Sequence, residues 1–285
     1  SPSAGRSPGG STGSPGSPAG SSGGSASSQG SPTASPGGSV GAPKGDVPKG
    51  LEKFYRQKVS WAPCKDDAKM QCGTVTVPLD YEHPDGKTIS IALKKLPASD
   101  SNAEHGSLFI NPGGPGSSGI LMLSYVDQAF SKDVMDKYDI IGFDPRGVGS
   151  STPVDCVDDR ELAKILDSDI DTSTEAGRKA RKVQARQIAK GCKEKSGELL
   201  AHVGTEPAAR DMDVLRGLVG DEKLNYFGFS YGTSLGGMYA DLFPKKVGRM
   251  VLDGAANPQQ SFLPSTYTQM LSFEKSFERY AERCV

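Results

Sequence analysis

Leu224-Asn-Tyr-Phe-Gly-Phe-Ser-Tyr-Gly-Thr233 (LNYFGFSYGT) is the stretch whose reading decides the fold. Its first six residues are short, apolar and aromatic, which predicts a buried strand over Leu224–Phe229. The pattern from Thr233 to Phe243 predicts a helix. Between them Gly228-Phe-Ser230-Tyr-Gly232 spells G-x-S-x-G on a strand-to-helix turn. Such a turn holds the serine backbone under strain and lifts its hydroxyl clear of the sheet. It also brings the residues two positions either side against each other, so both must be small, and Gly228 and Gly232 are.

The pattern alone is cheap in this chain. It recurs at Ser7, Ser11, Ser22, Ser39 and Ser234. Only Ser230 follows an apolar strand and precedes a helix, so Ser230 is the expected nucleophile. Gly236 and Gly237 are expected to let the helix pack closely on neighbouring strands. An acyl-transfer site also needs two N–H donors aimed at the oxyanion. One expected donor is the backbone N–H of Tyr231, at the positive end of the helix. The other is Gly114, in the loop Asn111-Pro-Gly-Gly-Pro-Gly-Ser-Ser-Gly119, where Gly113 lets backbone approach closely and the prolines stiffen the turn. A rival reading takes Gly114, Gly116 and Gly119 as the G-x-G-x-x-G of a dinucleotide-binding oxidoreductase, with Asp144 as its ribose-binding acid. Against it, Pro112 and Gly113 intervene after the strand, a hairpin precedes it, and Ser230 is left unexplained.

Further strands are expected at Cys72–Asp80 and Thr88–Leu96, joined as a hairpin through Asp85-Gly86, and at Ser107–Asn111, Tyr138–Phe143 and Arg249–Leu252. Helical patterns cover Ile120–Phe130, Asp158–Leu166, Thr174–Lys193 and Ala208–Val219. Apolar strands alternating with helices indicate an α/β fold: a mostly parallel sheet covered on both faces, with an N-terminal antiparallel hairpin. Residues 46–254 are the expected core. Ser265–Cys284 spaces Met270, Phe273, Phe277, Ala281 and Cys284 by threes and fours after Pro258 and Pro264. Residues 255–285 are therefore expected to begin a helical cap.

Residues 1–45 differ in kind. Up to Pro43 they are almost wholly Ser, Gly, Pro and Ala, with Arg6 the single charge and no aromatic. Such a stretch cannot bury enough apolar surface to offset its ordering entropy, so a flexible tether is expected. It also dilutes the hydrophobic fraction to 35%. Net charge is −1, and the basic run Arg178, Lys179, Arg181, Lys182, Arg186 and Lys190 reads as a solvated helix face, so nothing points to nucleic acid. No apolar run approaches the about 20 residues of a membrane-spanning helix. The spacing of the five cysteines fits neither zinc nor C-x-x-C redox chemistry. Cys64 with Cys72, and Cys156 with Cys192, are expected to pair in an oxidising compartment. Cys284 is left over, its partner expected beyond Val285.

Six blocks in order carry a family resemblance: Gly73–Tyr81 (GTVTVPLDY), Asn111–Gly116 (NPGGPG), Asp144–Ser150 (DPRGVGS), Ala209–Asp213 (ARDMD), Gly228–Thr233 (GFSYGT) and Val251–Gly254 (VLDG). Over about Trp61 to Pro258 the chain resembles the secreted tripeptidyl aminopeptidases of actinobacteria and the wider proline-iminopeptidase-like α/β hydrolases. The resemblance implies the α/β-hydrolase fold and a serine peptidase releasing short peptides, typically tripeptides, from free N-termini. It implies a cap that restricts access, export by a signal peptide or lipid anchor, and no metal or organic cofactor. Asp144 and Arg146 match a turn beside the active-site loop and are expected to brace it. Esterase chemistry shares the same elbow and loop, and a non-catalytic binding descendant is a further alternative. Oligomeric state is not readable.

In this fold acid and histidine follow the nucleophile in the order Ser, Asp, His. His83, His105 and His202 all precede Ser230, and Tyr231–Val285 holds no histidine. Asp253 ends the next strand and is expected to be structural. The fold is thus expected to be incomplete at the C-terminus, and these 285 residues alone to be inactive and poorly soluble.

Overall fold

The computed structural model describes residues 46–100 and 103–284; the expected tether, residues 1–45, lies outside them. Seven strands form one sheet: β1 (Ala62–Pro63), β2 (Gln71–Pro78), β3 (Thr88–Leu96), β4 (Ser107–Asn111), β5 (Asp139–Phe143), β6 (Leu224–Phe229) and β7 (Val247–Asp253). The helices are α1 (Glu52–Tyr55), α2 (Gly119–Met122), α3 (Val126–Ala129), α4 (Lys132–Lys137), α5 (Asp159–Leu166), α6 (Glu175–Leu200), α7 (Thr205–Val219), α8 (Tyr231–Leu242) and α9 (Phe262–Glu282).

The strands lie in the order β1-β2-β3-β5-β4-β6-β7. The first four in that order pair antiparallel, whereas β5, β4, β6 and β7 run parallel. From β4 the chain passes to β5 on one side, while β6 lies on the other. Strand order therefore switches at β4, and the crevice at the carboxyl ends of strands at such a point is where open α/β sheets take ligands. Period-two alternation divides the core. Phe109, Ile141, Phe143 and Tyr226 pack with Ala209, Met212 and Leu235. Leu108, Ile110 and Ile140 pack on the opposite face with Leu123, Val126 and Phe130.

Several element bounds correct the sequence expectations. The expected helix Ile120–Phe130 is broken into α2, a 3-10 turn at Leu123–Tyr125 and α3, which lets Leu123, Val126 and Phe130 all reach the sheet. α7 and α9 each start three residues earlier than their patterns suggested. Pro207 and Pro264 are the cause: each occupies the third position of its helix, where the missing N–H has no intrahelical partner to lose. α6 continues to Leu200 past a kink at Ser196, whose hydroxyl accepts from the Asp155 N–H and donates to the Asp155 carbonyl. The β2–β3 hairpin is closed by Leu79–Lys87, and Asp85-Gly86 lies within its loop, with Gly86 N–H bonded to the His83 carbonyl. The six residues of the basic run are all exposed along α6.

Disulfides join Cys64 to Cys72, between β1 and β2, and Cys156 to Cys192, tying the loop before α5 to α6. Cys284 is free and exposed. No helix among the described residues is long and apolar enough to cross a membrane.

Candidate active site

The turn between β6 and α8 carries Ser230 at φ +51°, ψ −120°, beside Ala103 one of two non-glycine residues at positive φ among those described. A β-carbon in that region is sterically disfavoured, so the surrounding structure must enforce it. It does so through the backbone. Ser230 N–H donates to the Asp253 carbonyl at the end of β7, and the Ser230 carbonyl accepts from both the Thr233 N–H and the Thr233 hydroxyl. The side chain is exposed above the sheet.

The flanking glycines are set by contact. A β-carbon at Gly228 would lie 2.5 Å from the Gly232 carbonyl oxygen, and one at Gly232 would lie 2.7 Å from the Asn111 carbonyl oxygen. The elbow and the end of β4 thus meet without room for one extra methyl group. Gly236 is similarly pressed on Leu252 and Tyr226. Gly237 is not: it is exposed with nothing near its β-carbon position. Its expected packing role is corrected, because it falls on the solvent side of α8.

The loop after β4 lies on this elbow. A β-carbon at Gly113 would come within 2.5 Å of the Phe229 carbonyl oxygen, 2.9 Å of Tyr231 N and 3.1 Å of Ser230 Cβ. Gly113 N–H is spent on Asn111 Oδ1 at 2.9 Å. The N–H groups of Gly114 and Tyr231, by contrast, donate to no acceptor among the described residues. Helix geometry explains Tyr231, since the first N–H groups of a helix have no intrahelical partner. The loop is therefore built around the serine turn, and it runs into a four-residue helix, α2, rather than the long helix a dinucleotide fold sets behind its phosphate loop.

Two carboxylates brace this region from behind. Asp144, after β5, accepts through Oδ1 from the Ser118 hydroxyl and the Ile120 N–H, and through Oδ2 from the Ser150 N–H. It thereby couples the loop after β4 to the turn after β5. Arg146 spends all five of its N–H donors. Nε and Nη2 grip Asp211, and the remaining bonds go to the carbonyls of Pro78, Leu79 and His202, at 2.7–3.0 Å. Burial works against the guanidinium, but the Asp211 hydrogen bonds and charge outweigh it and hold its pKa above the usual value. The Tyr81 hydroxyl also donates to Asp211, and burial with that carboxylate pushes its pKa well up. Tyr81 and Asp211 were not singled out from sequence, although Tyr81 ends one block that carried the resemblance and Asp211 lies inside another.

Among the described residues no histidine hydrogen-bonds the Ser230 hydroxyl. His83 pairs with Asp80 in the hairpin loop, and the His105 ring packs at a tilt against Tyr138. The Asp253 side chain is exposed; only its backbone carbonyl serves the elbow. Two carboxylate or thiol clusters have metal-like spacing, Cys64–Asp66–Cys72 and Asp80–Glu82–His83. The first has both sulfurs in a disulfide, and neither includes a residue of the elbow.

The profile of the family described as the α/β hydrolase fold matches residues 106–285, and the chain belongs to that family. It is 44% identical over 212 residues to the tripeptidyl aminopeptidase of Streptomyces lividans, a span covering 72% of this chain and 40% of that protein. It is 40% identical over 238 residues to serine protease Hip1 of Mycobacterium tuberculosis (80% of this chain, 45% of that protein). Carboxylesterase B of the same organism is 36% identical over 235 residues (79% and 45%). The chain spans less than half the length of these relatives.

Proposed function

We propose that this chain is the nucleophile-bearing part of an exported serine peptidase that releases tripeptides or other short peptides from free N-termini. The observation that carries the reading is Ser230 at positive φ on a glycine-flanked turn, with the Gly113–Gly114 loop folded onto it. In this mechanism the Ser230 oxygen attacks the scissile carbonyl, and the backbone N–H groups of Gly114 and Tyr231 receive the oxyanion. A general base takes the serine proton and returns it to the departing peptide amine as the tetrahedral intermediate collapses to an acyl-enzyme on Ser230. Water then hydrolyses that ester to release the N-terminal peptide. Asp144 and Arg146 hold the loops in place and touch no reacting atom.

A serine without a general base is a weak nucleophile at neutral pH. The isolated 285-residue chain is therefore expected not to turn over substrate, the base and acid coming from residues other than those described. Residues 46–254 act as the core and 255–285 as the start of a cap over the crevice. Two disulfides favour an oxidising, extracellular compartment. Esterase chemistry is the second reading, favoured by the likeness to Carboxylesterase B.

The test uses the full-length protein carrying this chain. A fluorophosphonate probe is expected to label Ser230, identified by peptide mapping, and Ser230→Ala is expected to abolish both labelling and turnover. Tripeptide nitroanilides with a free amine should be cleaved faster than their N-acetylated forms. No labelling at Ser230 would overturn the hydrolase reading. Indifference to the free amine, with faster cleavage of short-chain esters, would favour the esterase.

A further inference from the structure

A cavity of about 290 Å³ opens beside the elbow. Gly113, Pro115 and Gly116 of the loop after β4 form one side, and Tyr231 and Leu235 of α8 form another. The far wall comes from elements distant in sequence: Val148 and Val154 after β5, and Val203 and Ala208 around the start of α7. Because Gly113 and Tyr231 both flank Ser230, a group seated here lies next to any carbonyl that Ser230 attacks.

The chemistry of the walls is selective. Val148, Val154, Val203, Ala208 and Leu235 offer only hydrocarbon. Arg146 contributes the one ionised side chain to the lining, yet all five of its N–H groups are already bonded and its charge is matched by Asp211. It has no donor left for an acidic ligand, and no carboxylate lines the cavity to receive a basic one. A charged group entering would be desolvated without a partner. Unspent donors on the lining residues include the Tyr231 backbone N–H, assigned above to the oxyanion, and one side-chain amide. Asn111, only 1% exposed, lines the cavity with Oδ1 bonded to Gly113 N–H, while its Nδ2 is a buried side-chain donor without a partner among the described residues.

Resting on the serine-hydrolase reading, we propose that this cavity seats the side chain of the residue whose carbonyl Ser230 attacks, and selects an uncharged, apolar one. Asn111 Nδ2, itself buried, is a side-chain donor of the wall without a partner among the described residues. Filling hydrocarbon walls discriminates through methylene-sized steps, each of roughly tenfold or more in kcat/KM, while an unpaired charge is refused more strongly.

The test uses the full-length protein and peptidyl substrates that differ only at the scissile residue: Ala, Leu, Phe, Lys and Glu. Each is made as a nitroanilide and as a nitrophenyl ester, so the acyl preference is read whichever leaving group is accepted. Leu and Phe should exceed Lys and Glu by roughly tenfold or more. Val203→Trp and Val154→Phe narrow the cavity from two separate elements, and thermal melting identifies a variant that fails to fold. In either folded variant the Leu-to-Ala ratio of kcat/KM should drop at least about fivefold. A fluorophosphonate that labels Ser230, with Lys or Glu preferred, no peptidyl substrate accepted, or a ratio unmoved by both variants, would overturn the subsite alone. Absence of labelling would overturn the hydrolase reading, and the subsite with it.

Discussion

Asn111 shows how much of the site rests on one side chain at the end of a strand. Its carbonyl oxygen abuts Gly232, its Oδ1 takes the Gly113 N–H, and its Nδ2 is left over at the cavity wall. By consuming Gly113 N–H it makes Gly114 the next free donor of the loop. The prediction at this scale concerns Gly113→Ala. The new methyl would lie 2.5 Å from the Phe229 carbonyl oxygen, and φ +95° disfavours any β-carbon, at a cost of about 1–2 kcal/mol for the backbone alone. Displacing the loop moves the proposed oxyanion donor, so fluorophosphonate labelling of Ser230 should slow about 100-fold or more, measured beside a melting curve that shows the fold retained. The strained turn at Ser230 and the glycine-rich loop after β4 were legible from sequence because local turn chemistry demands small residues there. Asn111 was read as the end of a strand and the start of the loop, without its side-chain role, since that role depends on the elbow lying against it.

Between elements, one joint of several partners is centred on Asp213 of α7. Its carboxylate, fully buried, accepts from Tyr55 of α1, Arg216 of its own helix, Tyr239 of α8 and Lys246 just before β7. Burial alone would raise its pKa, but hydrogen bonds from Arg216, Lys246 and Tyr55 together with the Arg216 charge prevail and hold it below the ordinary value of 3.8. A depressed folded-state pKa means the contribution to stability is fully present above the unfolded value and is lost as pH falls through the folded one. Asp213→Asn should therefore destabilise the protein by about 3–5 kcal/mol at neutral pH. The gap between wild type and variant, followed by denaturant melts, should close as the pH drops below about 4. Sequence periodicity put Asp213 on a helix. That four elements would converge on its carboxylate is a fact of packing.

For the whole molecule, the sheet ends on β7, which has a strand neighbour on one side only among the described residues. Val251 there is 50% exposed. α9 presents Tyr267, Met270, Phe273, Phe277 and Tyr280, all at least 64% exposed, and belongs to neither core cluster. An apolar edge strand is a template for pairing between chains. The 285-residue chain alone should consequently self-associate, and Val251→Lys should raise its monomeric fraction in light scattering; an unchanged fraction would shift the cause from the edge to α9. The six sequence blocks, the strand at Leu224–Phe229 and the serine turn were set by the sequence itself, because period, turn residues and steric smallness act over neighbouring positions. The helix starts at Pro207 and Pro264 were misjudged, since a proline that breaks a helix interior is harmless in its first turn. Bracing by Asp144 and Arg146 was expected from the resemblance. Only the tertiary structure decided which two loops Asp144 ties, that Arg146 has no donor to spare, and that valines from the segments after β5 and before α7 enclose a cavity beside Ser230. Those residues lie tens of positions apart and meet only because the strand order switches at β4.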